Sequence, residues 1–90
     1  MDRIEIRVTG RVQGVAFRWY TQSKARSLDL AGWVRNQPDG SVRIVAEGPR
    51  AALEALAGWA ATGPDHARVD GHQVHWAEAT GKFADFLITG

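Results

Sequence analysis

Within the first third of the chain the apolar residues change their period, and nine residues carry the change: Gly10-Arg11-Val12-Gln13-Gly14-Val15-Ala16-Phe17-Arg18. Before them, Arg3 to Thr9 alternates, with Ile4, Ile6 and Val8 on one face, which predicts a half-buried strand. After them, Phe17, Tyr20, Thr21, Ala25 and Leu28 form one stripe of a helix from Phe17 to about Leu28. Two glycines four apart at this junction let the backbone curl back and aim several N–H groups into one concavity. At a helix N-terminus such a nest favours an anion, because unpaired donors and the helix dipole act together. Arg18 places a planar guanidinium fork beside it, suited to bidentate capture of a phosphoryl group. Gly-x-x-x-Gly between a strand and a helix is also common, and an arginine in a first helical turn is often merely solvated. Spacing alone leaves both readings open.

Gly32 to Asn36 predicts a second strand and Ser41 to Glu47 a third, with Val42, Ile44 and Ala46 inward. Between them Pro38-Asp39-Gly40 is turn chemistry, which makes the pair a hairpin. The solvent-facing positions are Arg3, Glu5 and Arg7 on the first strand and Arg43, Val45 and Glu47 on the third. Gly48-Pro49 opens a second helix, with Pro expected at its first helical position. Leu53, Leu56, Ala57 and Ala60 bury one face of that helix, and Gly63-Pro64 ends it. Val69 to Trp76 predicts a fourth strand and Phe83 to Thr89 a short fifth. The order β-α-β-β-α-β plus a C-terminal strand predicts an α+β, ferredoxin-like split βαβ fold. That fold is an antiparallel sheet with both helices on one face. Residues 1–90 are expected to form one domain.

The net charge is only +1, but residues 1–50 carry nine Lys/Arg against five Asp/Glu, and residues 51–90 two against five. The half with the glycine loop should therefore attract small anions, while a nucleic-acid binder would show a stronger basic excess. The absence of cysteine excludes a disulfide framework, a thiolate metal site and a cysteine nucleophile. No apolar stretch approaches the roughly 18 residues of a membrane span, and no signal peptide precedes the first strand, so a cytoplasmic location is expected. His72 and His75 stand three apart in a strand and so point to opposite faces, where they cannot share a metal. His66 has only Asp65 beside it, and no carboxylates show magnesium or calcium spacing, so neither metal nor cofactor is expected. Trp33 and Trp76 read as sheet packing and Trp59 as the border of the second helix, while Trp19 adjoins Arg18 and could flank a ligand.

The Gly10–Arg18 stretch resembles the signature loop of the acylphosphatases. Gly32-Trp33-Val34-Arg35-Asn36 and Asp39-Gly40-Ser41-Val42 resemble that family's second block. The likeness extends through Glu47-Gly48-Pro49 and Phe86-Leu87-Ile88, nearly the whole chain. It implies metal-free hydrolysis of a carboxyl–phosphate anhydride to carboxylate and inorganic phosphate, the phosphate also acting as inhibitor. Matched residue by residue, the family's catalytic pair falls on Arg18 and Asn36. The resemblance implies that Gly14, Val15, Ala16, Phe17 and Arg18 bind the phosphoryl oxygens, mainly through main-chain N–H groups, and that Asn36 orients the attacking water. Asn36 is otherwise accounted for as a residue ending a strand before a turn. Where the family habit is Gly, between Leu28 and Leu30, this chain has Asp29, expected in a left-handed conformation at some cost in stability.

The poverty of such a site itself selects a substrate. An acyl phosphate expels a carboxylate, whose conjugate acid has a pKa of about 4, so it needs no proton to leave. Clamping the phosphoryl group and aiming a water then suffice. A monomer acting on a small molecule is expected, with no nucleic acid and no membrane. The alternative is a non-catalytic phosphate- or RNA-binding module on the same fold, since ferredoxin-like sheets stack RNA bases on exposed aromatics. The outer positions of the first and third strands offer no such aromatic.

Overall fold

The computed structural model describes residues 1–90. Its elements are β1 (Asp2–Arg11), α1 (Phe17–Ser27), β2 (Ala31–Asn36), β3 (Val42–Gly48), α2 (Arg50–Ala60), β4 (Arg68–Glu78) and β5 (Phe86–Ile88). The five strands form one sheet in the order β4-β1-β3-β2-β5. The first four pair antiparallel, and β5 runs parallel to β2, so the sheet is mixed rather than wholly antiparallel. Two helices cover one face: α1 packs on β2 and β5, α2 on β1 and β3.

The alternation of β1 decides which face is covered. Ile4, Ile6 and Val8 are buried and meet Ala46, Ile44 and Val42 of β3, Leu53 and Leu56 of α2, and Phe17 and Ala25 of α1 in one core. Leucine and isoleucine side chains buried this completely are worth about 1.5–3 kcal/mol each, which is what holds the helices down. The helix stripe differs from expectation at Tyr20, which is 43% exposed and stacks edge-to-face on Trp19. Pro49 precedes α2 rather than opening it. Its φ of −61° and ψ of 141° are extended, and its carbonyl accepts the first helical bond, from Leu53.

The other face is less bare than alternation predicts. Val45 is fully buried opposite Trp33, whose ring lies under Arg35 and Arg43 at 4.8 and 5.6 Å. Glu47 is 7% exposed, because the segment after β4 folds over it. Thr80 and Gly81 donate their N–H groups to its carboxylate, each at 2.9 Å, and Arg3 donates at 3.2 Å. Burial alone would push the Glu47 carboxyl up, but these donors and the Thr80 hydroxyl hold it below the usual carboxylate range.

Candidate active site

Gly10 ends the regular part of β1. Its φ is +120°, the ladder to β4 shifts register between Thr9 and Gly10, and a Cβ there would lie 2.2 Å from the Arg68 carbonyl oxygen. Only glycine lets the strand turn away here. Further along, Gly14 (φ +76°) and Ala16 (φ 59°) are both left-handed. For Ala16 this costs about 1–2 kcal/mol. It is also the N-cap of α1, with no side-chain cap bond. The N–H groups of Gly14, Val15 and Ala16 donate to no carbonyl. The first-turn N–H groups of Phe17 and Arg18 have no intrahelical acceptor either. Five successive main-chain donors are therefore left without a protein acceptor in this curled loop, at the positive end of a helix dipole.

The loop borders a cavity of about 200 Å³ lined by Val12, Gly14, Ala16, Phe17, Arg18, Trp19, Asn36 and Ile88. Arg18 and Asn36 thus come together with Gly14, Ala16 and Phe17, whereas Val15 is not among the lining residues and packs against the core. Asn36 reaches the cavity because its row, opposite Val42, faces the helices. Its Oδ1 is buried and has no hydrogen-bond partner. Arg18 Nη1 donates to the Gly90 carbonyl oxygen, which also accepts the Asn36 N–H at 3.3 Å.

Three contributors were not foreseen from the sequence. Gln13 Nε2 donates to the carbonyls of Gln37 and Ser41, at 2.8 and 2.9 Å, and so ties the loop to the hairpin that carries Asn36. That hairpin turn is itself stiff: Asp39 Oδ1 accepts the Ser41 hydroxyl at 2.6 Å and the Ser41 N–H at 2.9 Å, while Arg7 donates to Asp39 Oδ2 at 2.7 Å. These donors, the Ser41 hydroxyl foremost, hold the Asp39 carboxyl far below its usual range. Ile88 and Gly90 arrive with β5, whose parallel pairing to β2 lays them beside Asn36. Nothing in a two-residue spacing could have reported that pairing. Only Gln13, polar inside an apolar loop, offered a signal.

The rival groups do not converge. His72 stands opposite Val8 and His75 opposite Glu5, so they lie on opposite faces. The largest cavity, about 340 Å³, is on the open face under the β2–β3 turn, where Arg7 and Arg43 are paired with Asp39 and Glu5. No helix is long and apolar enough to cross a membrane.

The arrangement can hold a phosphoryl group against amides and a guanidinium, with the Asn36 amide at the same cavity to hydrogen-bond a water. Known proteins match the chain as a whole. The family model described as Acylphosphatase matches residues 4–88. An acylphosphatase of Thermococcus kodakarensis is 52% identical over 88 residues, 98% of this chain and 96% of that protein. One from Salinibacter ruber is 51% identical over 86 residues, 96% and 90% of the two chains. The crystal structure of acylphosphatase from Bacillus subtilis superposes with a TM-score of 0.95 at 38% identity, covering 100% of both chains.

Proposed function

The chain belongs to the acylphosphatase family and is an enzyme that hydrolyses acyl phosphates; from that premise we propose how its own residues divide the work. Residues 1–90 act as one catalytic domain. The N–H groups of Gly14 to Arg18 and the Arg18 guanidinium bind the phosphoryl oxygens. The Asn36 side-chain amide holds the attacking water and turns a water lone pair toward phosphorus. The water oxygen bonds to phosphorus as the bond to the carboxylate oxygen breaks, and the carboxylate leaves without a proton. The water proton passes to solvent or to the phosphate released. The loop amides and Arg18 meet the charge spread over the phosphoryl oxygens, so no metal or cofactor is needed. The observation that carries this reading is the run of unpartnered loop amides beside the cavity that Arg18 and Asn36 both line.

We also propose a cytoplasmic monomer with no nucleic-acid partner. The near-neutral charge and the carboxylate partners of Arg3, Arg7 and Arg43 on the open face support the absence of a nucleic-acid partner.

The test is hydrolysis of benzoyl phosphate beside an aryl phosphate monoester, with EDTA present. Only the first should be cleaved fast. Arg18→Ala should lose both turnover and inhibition by phosphate. Asn36→Ala should lose roughly 100-fold in turnover, about 2.7 kcal/mol, yet bind phosphate nearly as before. A folded Asn36→Ala enzyme that kept most of its turnover would remove the water-positioning role. Loss of activity to EDTA, restored by magnesium or zinc, would overturn the metal-free mechanism.

A further inference from the structure

The catalytic cavity has two kinds of wall. One is polar: the loop amides, Arg18 and Asn36. The other is apolar, built by Val12, Phe17, Trp19 and Ile88. Val12 and Phe17 are fully buried and offer no surface, whereas Trp19 is 58% and Ile88 39% exposed. They approach from different elements, Trp19 from the first turn of α1 and Ile88 from the end of β5. The Trp19 ring packs edge-to-face against Tyr20, with centroids 5.0 Å apart and planes at 82°.

We propose that Trp19 and Ile88 form the subsite for the acyl group, and that the enzyme prefers acyl phosphates whose acyl part is aromatic or bulky and apolar. The proposal rests on the phosphoryl group lying in the Gly14–Arg18 nest. An acyl phosphate is a compact anion joined to a carbonyl carbon and its substituent. With the anionic end held by the loop amides and Arg18, the substituent must leave through the remaining wall of the same cavity. Trp19 follows Arg18 in the chain, and Ile88 is two residues from the carbonyl that Arg18 contacts. A ring or branched chain lying there would remove apolar surface from water on both partners. A methyl group would cover little of it, and a second carboxylate or phosphate lying on these apolar surfaces would lose hydration. Such a subsite also discriminates through KM rather than through the chemical step.

The test is the ratio of kcat/KM for benzoyl phosphate to that for acetyl phosphate, with inhibition by inorganic phosphate measured alongside. The ratio should fall about tenfold in Trp19→Ala, be largely kept in Trp19→Phe, and fall several-fold in Ile88→Ser, each change residing in KM. Leu87→Ala is the control, because Leu87 is 50% exposed on the opposite side of β5 and should leave the ratio as it was. Should Trp19→Ala not fold, the Ile88→Ser ratio decides. An unchanged ratio in these variants, while Arg18→Ala abolishes hydrolysis of both substrates, overturns the acyl subsite alone. Full activity in Arg18→Ala overturns the phosphoryl reading beneath it.

Discussion

The two ends of α1 share a backbone conformation and put it to opposite uses. At the start, Ala16 is left-handed with φ 59°; just past the end, Asp29 is left-handed with φ 56°. Neither is glycine, so both carry the steric cost of that region. At the far end the polar groups are met. Leu30 donates to Ala25 and Asp29 to Arg26, at 3.0 and 3.1 Å, which closes a Schellman motif. Leu30 and Ala25 are buried beneath it. At the near end, Gly14, Val15 and Ala16 keep their N–H groups unpaired, and no side chain caps the helix. One end is strained to stop a helix, the other to hold donors ready. The distinction lies in what the freed backbone groups face, a buried carbonyl ladder or a cavity.

If the near end is a ligand site, phosphate should stabilise the fold through it. At ~100 times its dissociation constant, phosphate should add about 2.7 kcal/mol, read as a rise in melting temperature that Arg18→Ala abolishes and Asp29→Gly leaves intact. A melting curve indifferent to both phosphate and sulfate would show that the two ends do not differ in this way.

The far end should instead answer to acid. Glu47 lines the cavity next to Asp29 and Gly81, and its carboxylate holds the segment that follows β4. Its carboxyl is lowered from an ordinary value of 4.5. The unfolded chain therefore takes up the proton first. The stabilisation is complete above that ordinary value and is lost as pH falls through the depressed one. Glu47→Gln should cost about 2 kcal/mol at neutral pH and make the loss of stability on acidification shallower. Parallel acid profiles for the two proteins would remove Glu47 from this role.

The smallest effects separate the ends most directly. Ala16→Gly and Asp29→Gly should each stabilise the fold by roughly 0.5–1 kcal/mol, by relieving a left-handed residue. Ala16→Gly should also lower turnover, because the nest is no longer held in shape, while Asp29→Gly should leave turnover unchanged. Equal turnover in both would mean that the Ala16 conformation does no more for catalysis than that of Asp29.

Much of this was legible in the residues. The period change around Gly10–Arg18 located β1, the loop and α1, and the Pro38-Asp39-Gly40 turn located the hairpin, because these are local preferences of the backbone. The left-handed Asp29 followed from the likeness to a family that carries Gly where this helix must stop. The element ends drifted: β4 extends from Arg68 to Glu78, and β5 shrinks to Phe86–Ile88. Asn36 was found only through its likeness to a known family, since an asparagine ending a strand reads equally well as turn chemistry.

The sequence by itself determined which face of β1 is apolar, where the strand gives way to a loop, and where the helix after it begins. Each of these depends on neighbours within a few residues. Tertiary structure alone decided that β5 returns parallel to β2, bringing Ile88 and Gly90 to Arg18, and that Gln13 reaches the hairpin across 24 and 28 residues of chain. It also decided that Glu47 and Val45 are buried on the face that alternation assigns to solvent. Contacts of this kind join segments distant in the chain. Local pattern records only what a residue prefers, not which remote segment closes over it.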